Sequence, residues 1–303
     1  MIQFNKFKLV LLVLAVLFCT QFSYAQLTDL GRVEYTYFPQ DKSDNTFKRF
    51  RAFANYPIML SEDGYLVFGV EYRNVDLDLG DVLPFNTSDL QDYSSYTGQI
   101  GYTNKMKNDW RYAVQAEFKL ASNFADGIVS DDQIFGGSFY FIKDKTGEEE
   151  NAPDKPWRLV LGLNYSTTAG RPFPLPFINY YREFRPNWSF GLGVPKSNVK
   201  WEFVENHELQ AFVTLDGFFA NIQDNVIVNN PDGSQDVANN VSMTTLLSGL
   251  GYSWEFIDHF EFYVYFGHTI INNIRLEDDD NNEIFTINDK NNFYGRTGVK
   301  VKI

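Results

Sequence analysis

The sequence predicts an all-β fold: a single closed antiparallel transmembrane β-barrel of fourteen strands (twelve as the alternative), preceded by a cleaved signal peptide. Three observations predict this fold. The chain begins with a short apolar segment typical of export, most later segments alternate apolar and polar residues, and the connections alternate between short and long. Hydrophobic residues make up 44% and aromatic residues 17% of the 303 residues, which is enough apolar material for a large folded surface.

Residues 1–25 are predicted to be the signal peptide and residues 26–303 the barrel. Two lysines precede an apolar run at residues 9–18, and this run is too short to cross ~30 Å of hydrocarbon. Small residues occupy the two positions that signal peptidase reads, which predicts cleavage between Ala25 and Gln26.

The single cysteine, Cys19, lies inside the predicted signal, so the mature chain is expected to have neither a disulfide framework nor a thiolate metal site. The bulky Phe18 before it disfavours lipid attachment. The net charge is −13, and loss of Lys6 and Lys8 with the signal makes it −15. A chain this acidic repels phosphate backbones, so we expect no nucleic-acid partner.

Alternation with a period of two residues identifies the strands. Residues 110–120 are apolar at every even position, and residues 66–73, 157–166 and 260–267 follow the same period. The predicted strands are 30–38, 47–58, 65–76, 94–104, 110–121, 132–142, 157–168, 176–184, 188–194, 198–204, 208–220, 241–256, 259–273 and 293–303. Reading residues 188–204 as a bent corner instead of a hairpin would leave twelve.

The connections separate into two kinds. Those after even-numbered strands are mostly tight, as at 61–64 and 257–258, whereas most of those after odd-numbered strands are longer. Outer-membrane barrels have this asymmetry, with short periplasmic turns and long outer loops. Residues 143–156 are long for a periplasmic turn, and residues 195–197 are short for an outer loop.

A soluble sandwich would also alternate, with its apolar face inward. Two features favour the barrel: most segments have the 9–11 residues that cross a bilayer at a tilt, and aromatic residues crowd the predicted strand ends. Loop 221–240 has two interpretations. It folds inward and constricts the channel, or it forms an exposed hairpin around the turn-forming residues 229–233.

The chain ends on an amphipathic segment with Gly298, Val301 and Ile303 on alternating positions. This ending resembles the terminal strand signal that the barrel-assembly machinery reads, although that signal usually closes on an aromatic residue. An ordinary amphipathic final strand is the alternative.

Three segments carry a wider resemblance: Pro-Leu-Pro-Phe-Ile-Asn-Tyr at 174–180, Asn-Trp-Ser-Phe-Gly-Leu-Gly-Val-Pro at 187–195, and Leu-Asp-Gly-Phe-Phe-Ala-Asn at 215–221. With the signal and the terminus, they resemble an uncharacterised outer-membrane β-barrel family, a domain of unknown function, of Bacteroidota-type bacteria. The resemblance implies a location and no activity or functional residues.

Charged residues on the predicted lumen face form the candidate site. The basic ones are Arg32, Arg49, Arg51, Arg73, Arg111, Lys119, Arg158, Lys200, Arg296, Lys300 and Lys302, and the acidic ones are Glu34, Glu71, Glu117, Glu202, Glu208, Asp216 and Glu261. The basic residues exceed the acidic ones by four, so the loops must hold the excess acid of the chain. Two interpretations stay open: a pore lining that favours anions, or an interior crosslinked by ion pairs.

The sequence predicts that the protein is not an enzyme. His207 and His259 lie in predicted turns and His268 has lipid-facing parity, so no serine–histidine–acid arrangement is apparent. Acidic loops at 76–81 and 278–283 lack the spacing of a calcium loop, so we expect no metal site and no cofactor.

The first functional expectation is a passive pore, or a barrel that binds or transports small solutes and leans to anionic ones. The alternative is a non-conducting structural or surface-interaction barrel that acts through acidic outer loops, and a hydrolase is third. Expected partners are outer-membrane lipid, lipopolysaccharide, the barrel-assembly machinery and a small anionic solute.

Overall fold

A computed structural model describes residues 29–39, 45–88, 90–147, 154–165 and 174–302. The predicted signal peptide with its cleavage site at Ala25 and Gln26 lies outside these residues, as does Ile303. No helix within the described ranges is long and apolar enough to cross a bilayer.

Fifteen strands and two short 3₁₀ turns make up the described structure. The 3₁₀ turns are Lys107–Asp109 and Ser130–Asp132. The strands are β1 Gly31–Phe38, β2 Thr46–Met59, β3 Gly64–Asp78, β4 Asp92–Lys105, β5 Trp110–Ser122, β6 Gln133–Lys145, β7 Trp157–Tyr165, β8 Pro174–Arg185, β9 Trp188–Val194, β10 Lys196–Val204, β11 His207–Asn229, β12 Gln235–Ile257, β13 Phe260–Glu277, β14 Glu283–Asn288 and β15 Phe293–Val301.

The sheet closes on itself. Each strand from β1 to β13 pairs antiparallel with the next, β13 pairs with β15, and β15 returns to β1. The short β14 pairs only with the end of β13 and stands outside the ring. Fourteen strands therefore form the barrel, as the sequence predicts, and β9 and β10 are a true hairpin in its wall.

An apolar belt covers the outside of the barrel. All fourteen wall strands expose at least one large apolar side chain, for example Val70 at 63% and Leu250 at 69%. Such a belt is stable only against acyl chains, because exposed apolar patches of this extent are not found on soluble monomers. The barrel is therefore transmembrane, with the apolar face outward.

The strand bounds differ from prediction mainly in the last third of the chain. β11 and β12 each have 23 residues and extend through most of the predicted loop 221–240. This segment is thus a hairpin, with a break in strand register between Asn221 and Val226. β14 was missed because it is only six residues long and lies between turn-forming residues. Predicted residues 166–168 lie outside the described ranges.

The wall is lower on one side. β9 has seven residues, and its hairpin with β10 stops at Lys196, which pairs with Thr214 of β11. Above that level β11 has β12 on one side only, and its Asn221 instead pairs with Ser122 of β5. The β11–β12 hairpin therefore leans across the low wall and meets the opposite strands at the end with the long loops, which we name the long-loop end.

Candidate functional site: the barrel interior

The long-loop end of the interior is packed with apolar side chains. They come from ten of the fourteen wall strands, and many have no solvent-accessible surface. Phe218 of β11 meets the ring of Tyr93 on β4 at a centroid distance of 5.6 Å, and Phe38 stacks on Tyr294 at 5.4 Å. Buried apolar side chains that pack against one another in this way exclude water from the space they fill. We name the members at the long-loop end the apolar seal, which leaves out Phe212, Tyr263 and Tyr265 nearer the short turns. Its largest fully buried members include Phe38, Phe47, Tyr93, Phe218, Leu247 and Leu276.

Sequence reasoning missed the apolar seal. Phe38 follows Arg32, Glu34 and Thr36 on the same face of β1, so its parity already placed it inside. At a strand end, however, an aromatic residue is also typical of the membrane–water interface. The sequence did contain a signal, since the apolar residues at these strand ends have inward-facing parity. Alternation alone, however, does not distinguish such residues from an aromatic belt at the membrane surface.

Below the seal, ion pairs cross the barrel. Arg49 of β2 donates to both carboxylate oxygens of Asp216 on β11, at 2.8 and 2.7 Å, and Arg296 of β15 donates to Asp216 Oδ2 at 2.6 Å. Glu34 of β1 lies 3.7 Å from Arg49 and 3.6 Å from Arg296. At least four wall strands separate β2 from β11 in either direction around the ring, so these contacts exist only across the interior. We name these four residues the charge crosslink.

A second ion-pair group flanks the crosslink. Glu71 accepts from Arg51 at 2.6 Å and from Arg73 at 2.8 Å. Arg73 also donates to the Gly217 carbonyl of β11 at 3.2 Å. Bidentate and shared arginine–carboxylate contacts of this kind hold two strands in a fixed relation. The structure therefore brings the central predicted residues of β1, β2, β3, β11 and β15 together as pairs.

The remaining predicted residues lie in smaller groups. Lys119 is 4% exposed on β5, and Glu117 is half-buried on the same face. Arg111 donates to the Asp63 carbonyl at 3.0 Å, and Glu202 is exposed near the turn after β10. Ion pairs join the others: Arg32 with Asp29, Arg158 with Asp144 at 3.8 Å, Lys200 with Glu208 at 2.9 Å, Lys300 with Glu261 at 2.7 Å and Lys302 with Glu261.

The end with the short turns, which we name the short-turn end, is open to water. The side chains of Lys200 and Glu208 are 31% and 28% exposed, and that of Lys302 is 33% exposed. In contrast, Arg49 is 4% and Glu34 2% exposed in the charge crosslink. The exposure of the charged side chains thus falls from the short-turn end toward the crosslink. We name the polar part of the interior at the short-turn end the vestibule.

Lys196 belongs to this vestibule and was missed from the sequence. The predicted strand began at residue 198, which assigned Lys196 to a loop. β10 in fact begins at Lys196, two residues from Asn198 and four from Lys200, so all three share one face. Parity would have found it if the Gly-Val-Pro link had been recognised as a turn that ends at Pro195.

The predicted assembly segment forms the last wall strand. Gly298 pairs with Glu34 on one side and Tyr263 on the other, and Val301 pairs with Gly31 and Phe260. A methyl group added at Gly298 would overlap the Val33 carbonyl oxygen and lie 2.7 Å from Tyr263 Oη. Glycine here lets Tyr263 reach inward, where its hydroxyl donates to Glu34 at 2.6 Å.

The three histidines make local contacts. His207 Nδ1 lies 2.7 Å from the Tyr252 hydroxyl, and His268 Nδ1 lies 2.7 Å from the carbonyl of Thr269. His259 occupies a turn with a φ of 73°. None of these described contacts joins a histidine to both a serine and a carboxylate, the arrangement that a hydrolase of this type needs.

The acidic loops at the long-loop end use their carboxylates in local hydrogen bonds. Asp278 accepts from the backbone and side chain of Asn282 and from the backbone of Asp280. The side-chain hydrogen bond from Asn282 lowers the pKa of Asp278, and one from Ser234 lowers the pKa of Asp232. In the described ranges, no three histidine, cysteine or acidic side chains form a group suited to a metal ion.

Comparisons with known proteins add a family and distant barrels. A family model described as a domain of unknown function (DUF6268) matches residues 93–302. No curated protein matches the chain. Solved structures that are similar include a KdgM porin (TM-score 0.36, 8% identity, 90% of this chain and 99% of that one), LpxR from Salmonella typhimurium (0.38, 9%, 90% and 100%) and a NanC porin (0.37, 7%, 90% and 100%).

Proposed function

The chain belongs to the DUF6268 family of unknown function, and we propose that it is a bacterial outer-membrane barrel that does not conduct solutes in this conformation. In this proposal the barrel acts at the cell surface through its acidic outer loops. The short turns face the periplasm, as in other outer-membrane barrels. The same proposal assigns it to Bacteroidota-type bacteria, on the three segments that resemble their barrel families.

The apolar seal is the observation that carries the proposal. A conducting barrel needs a continuous water-filled path, and polar interiors provide one in porins. Here buried apolar residues from ten wall strands meet inside one end of the barrel. The charge crosslink lies under them and spans the interior from β2 to β11. Both features support a closed barrel over the passive pore that the sequence favours.

The charge distribution supports action through the outer loops. The predicted mature chain carries a net charge of −15, while the predicted interior residues carry an excess of four positive charges. Most of the negative charge is therefore outside the interior. Loop carboxylates such as Asp232 and Asp278 stay ionised, since hydrogen bonds lower their pKa. A surface of this kind repels anions and attracts cationic partners.

The proposal includes three contacts with the cell envelope. The outward apolar belt contacts acyl chains, the rim near the long loops contacts lipopolysaccharide, and the strand that contains Gly298 and Val301 is read by the barrel-assembly machinery. It includes no catalytic step, because the described histidine contacts offer no activated nucleophile.

Solute permeation into proteoliposomes tests the proposal. The mature chain, refolded into lipid vesicles, should leave the swelling rate in isosmotic small sugars and organic-anion salts equal to that of protein-free vesicles. A general porin reconstituted at the same protein-to-lipid ratio is the positive control. Folding is verified by the shift in gel mobility on heating. Swelling that rises with the amount of folded protein would refute the closed barrel.

A further inference from the structure

Lys196 projects into the vestibule between two aromatic rings. Its Nζ lies 5.0 Å from the ring centroid of Phe212 and 5.4 Å from that of Tyr265. It donates one hydrogen bond, to Gln210 Oε1 at 3.0 Å. An ammonium group carries three donors, so its position leaves hydrogen-bonding capacity toward the vestibule.

Lys196 differs from its cationic neighbours in having no carboxylate. Four cations whose charge acts on Lys196 each lie within 4.0 Å of an acidic side chain: Arg32, Lys200, Arg296 and Lys300. No described carboxylate comes that close to Lys196. A charge held away from bulk water is costly unless it is paired, so the site favours a soluble counter-ion.

The surroundings add positive potential. The rings of Tyr263 and Tyr265 lie 4.8 Å apart, and Arg32 Cζ and Lys300 Nζ lie 5.7 and 5.8 Å from the Tyr263 centroid. Lys196 Nζ is on the Tyr265 side of the same pair. Three cations thus surround one pair of rings, and two of them are neutralised by their own carboxylates. Of the three, Lys196 is the cation without a carboxylate within 4.0 Å among the described residues.

Hydrogen-bonding groups and open access complete the site. Asn198 and Gln210 present amides beside Lys196. Farther toward the short turns, Ser253 is 2% exposed, and its hydroxyl oxygen has no hydrogen-bond partner among the described residues. Ser253 lies on the inward face of β12 and pairs in register with Glu208 and Tyr263. The water-exposed side chains at the short-turn end leave the vestibule open to the periplasm.

We propose that Lys196 anchors a binding site for a small organic carboxylate that enters from the short-turn end. One unbalanced positive charge matches a monoanion; a phosphate monoester would bring close to two negative charges. The carboxylate accepts from Lys196 Nζ, and the rings of Phe212 and Tyr265 form the wall against its apolar part. This inference does not depend on whether the barrel conducts, because binding needs access from one end only.

Titration with trifluoroacetate, followed by ¹⁹F NMR, tests the site on the folded mature chain in detergent micelles. Wild-type protein should show saturable binding that sodium acetate displaces more effectively than inorganic phosphate. Lys196→Gln should weaken binding by about tenfold or more, because it removes a charged hydrogen-bond donor. Lys196→Arg should restore most of it. Lys290→Gln, at an exposed loop position, is the matched control and should bind as wild type does.

Three results would each overturn the inference: no saturable binding to the folded wild type, equal binding by Lys196→Gln, or stronger displacement by phosphate than by acetate. The wild-type displacement series decides the matter by itself if Lys196→Gln does not fold. Permeation into vesicles remains a separate measurement. Swelling would refute the closed barrel without bearing on the carboxylate site, and absent or unaltered trifluoroacetate binding would refute the site without bearing on the closed barrel.

Discussion

Asp216 holds two arginines from distant strands at one point in the interior. Its carboxylate accepts from Arg49, from Arg296 and from the Gly217 backbone, which satisfies both oxygens. Removing it would leave two buried guanidinium groups with the more distant Glu34 as their remaining carboxylate. The cost of leaving a buried charge unpaired is larger than the net value of the pair, so the stability of the barrel is sensitive to substitution at Asp216.

Asp216→Ala should lower the free energy of unfolding by roughly 3–5 kcal/mol, the usual range for one lost partner of a buried ion pair. Urea unfolding of the barrel in lipid vesicles, followed by tryptophan fluorescence, measures this change. Asp232→Ala, in an exposed outer turn, should change stability by no more than about 0.5 kcal/mol. Equal midpoints for the two variants would contradict the role of the crosslink.

Gly298 can be tested against a neighbour on the same strand. Gly298→Ala should destabilise the barrel by about 1–3 kcal/mol, because the new methyl group overlaps Val33 and displaces Tyr263 from Glu34. Gly295→Ala is the matched control, since a methyl group there has its nearest contact at 3.6 Å. The same unfolding measurement applies, and a Gly298 variant as stable as the Gly295 variant would refute this packing.

At the residue scale the sequence predicted which face of a strand a charge occupies, but it could not predict partners. Parity placed Arg49 and Asp216 on the inner face, and nothing in their spacing of 167 residues indicated that they meet. Pairing across the interior depends on which strands lie opposite each other, and so on closure and shear. Lys196 was missed for a local reason, because one misplaced strand start removed it from the inner face.

At the element scale, the β11–β12 hairpin is fixed by hydrogen bonds to the opposite side. Asp132 accepts from Asn221 and Gln223 at 2.8 Å each, and from the Val129 backbone at 2.9 Å. Gln223 also donates to the Gly127 carbonyl at 2.7 Å. These contacts join the hairpin to the β5–β6 connection and cover the low wall of the barrel.

Gln223→Ala should loosen this connection and leave the barrel intact. Losing several buried hydrogen bonds should lower the free energy of local opening in residues 221–229 by about 1–3 kcal/mol, and so speed up amide exchange there. Exchange in β2 and β3 should not change. Hydrogen–deuterium exchange with mass spectrometry measures both, and Gln235→Ala, on the exposed part of the same hairpin, is the control. Unaltered protection in residues 221–229 would show that these bonds do not hold the hairpin.

The strands themselves were predictable because the apolar–polar pattern of a half-buried strand repeats every two residues, whether its neighbours are known or not. The length of β11 was not predictable in this way. Residues 221–225 interrupt the alternation with a register break and two residues of positive φ, Asp224 and Asn225, so the pattern ended before the strand did. The inward lean of the hairpin also depends on the short β9 and β10, which alternation within β11 cannot reveal.

On the scale of the whole molecule, the interior changes character along its length. The short-turn end is polar and wet, the middle is crossed by arginine–carboxylate pairs, and the long-loop end is filled with apolar residues. The sequence predicted the membrane barrel and the balance of charge between interior and loops. The sequence did not decide between a conducting interior and a crosslinked one. Both need the same charged residues and differ only in how these residues pair.

Single-channel recording in planar lipid bilayers tests the closed barrel most directly. A general porin inserted into the same bilayer is the open control. We predict that the folded wild-type chain inserts without current steps, whereas the porin gives steps. Regular steps of uniform size from the wild-type protein would contradict the closed barrel.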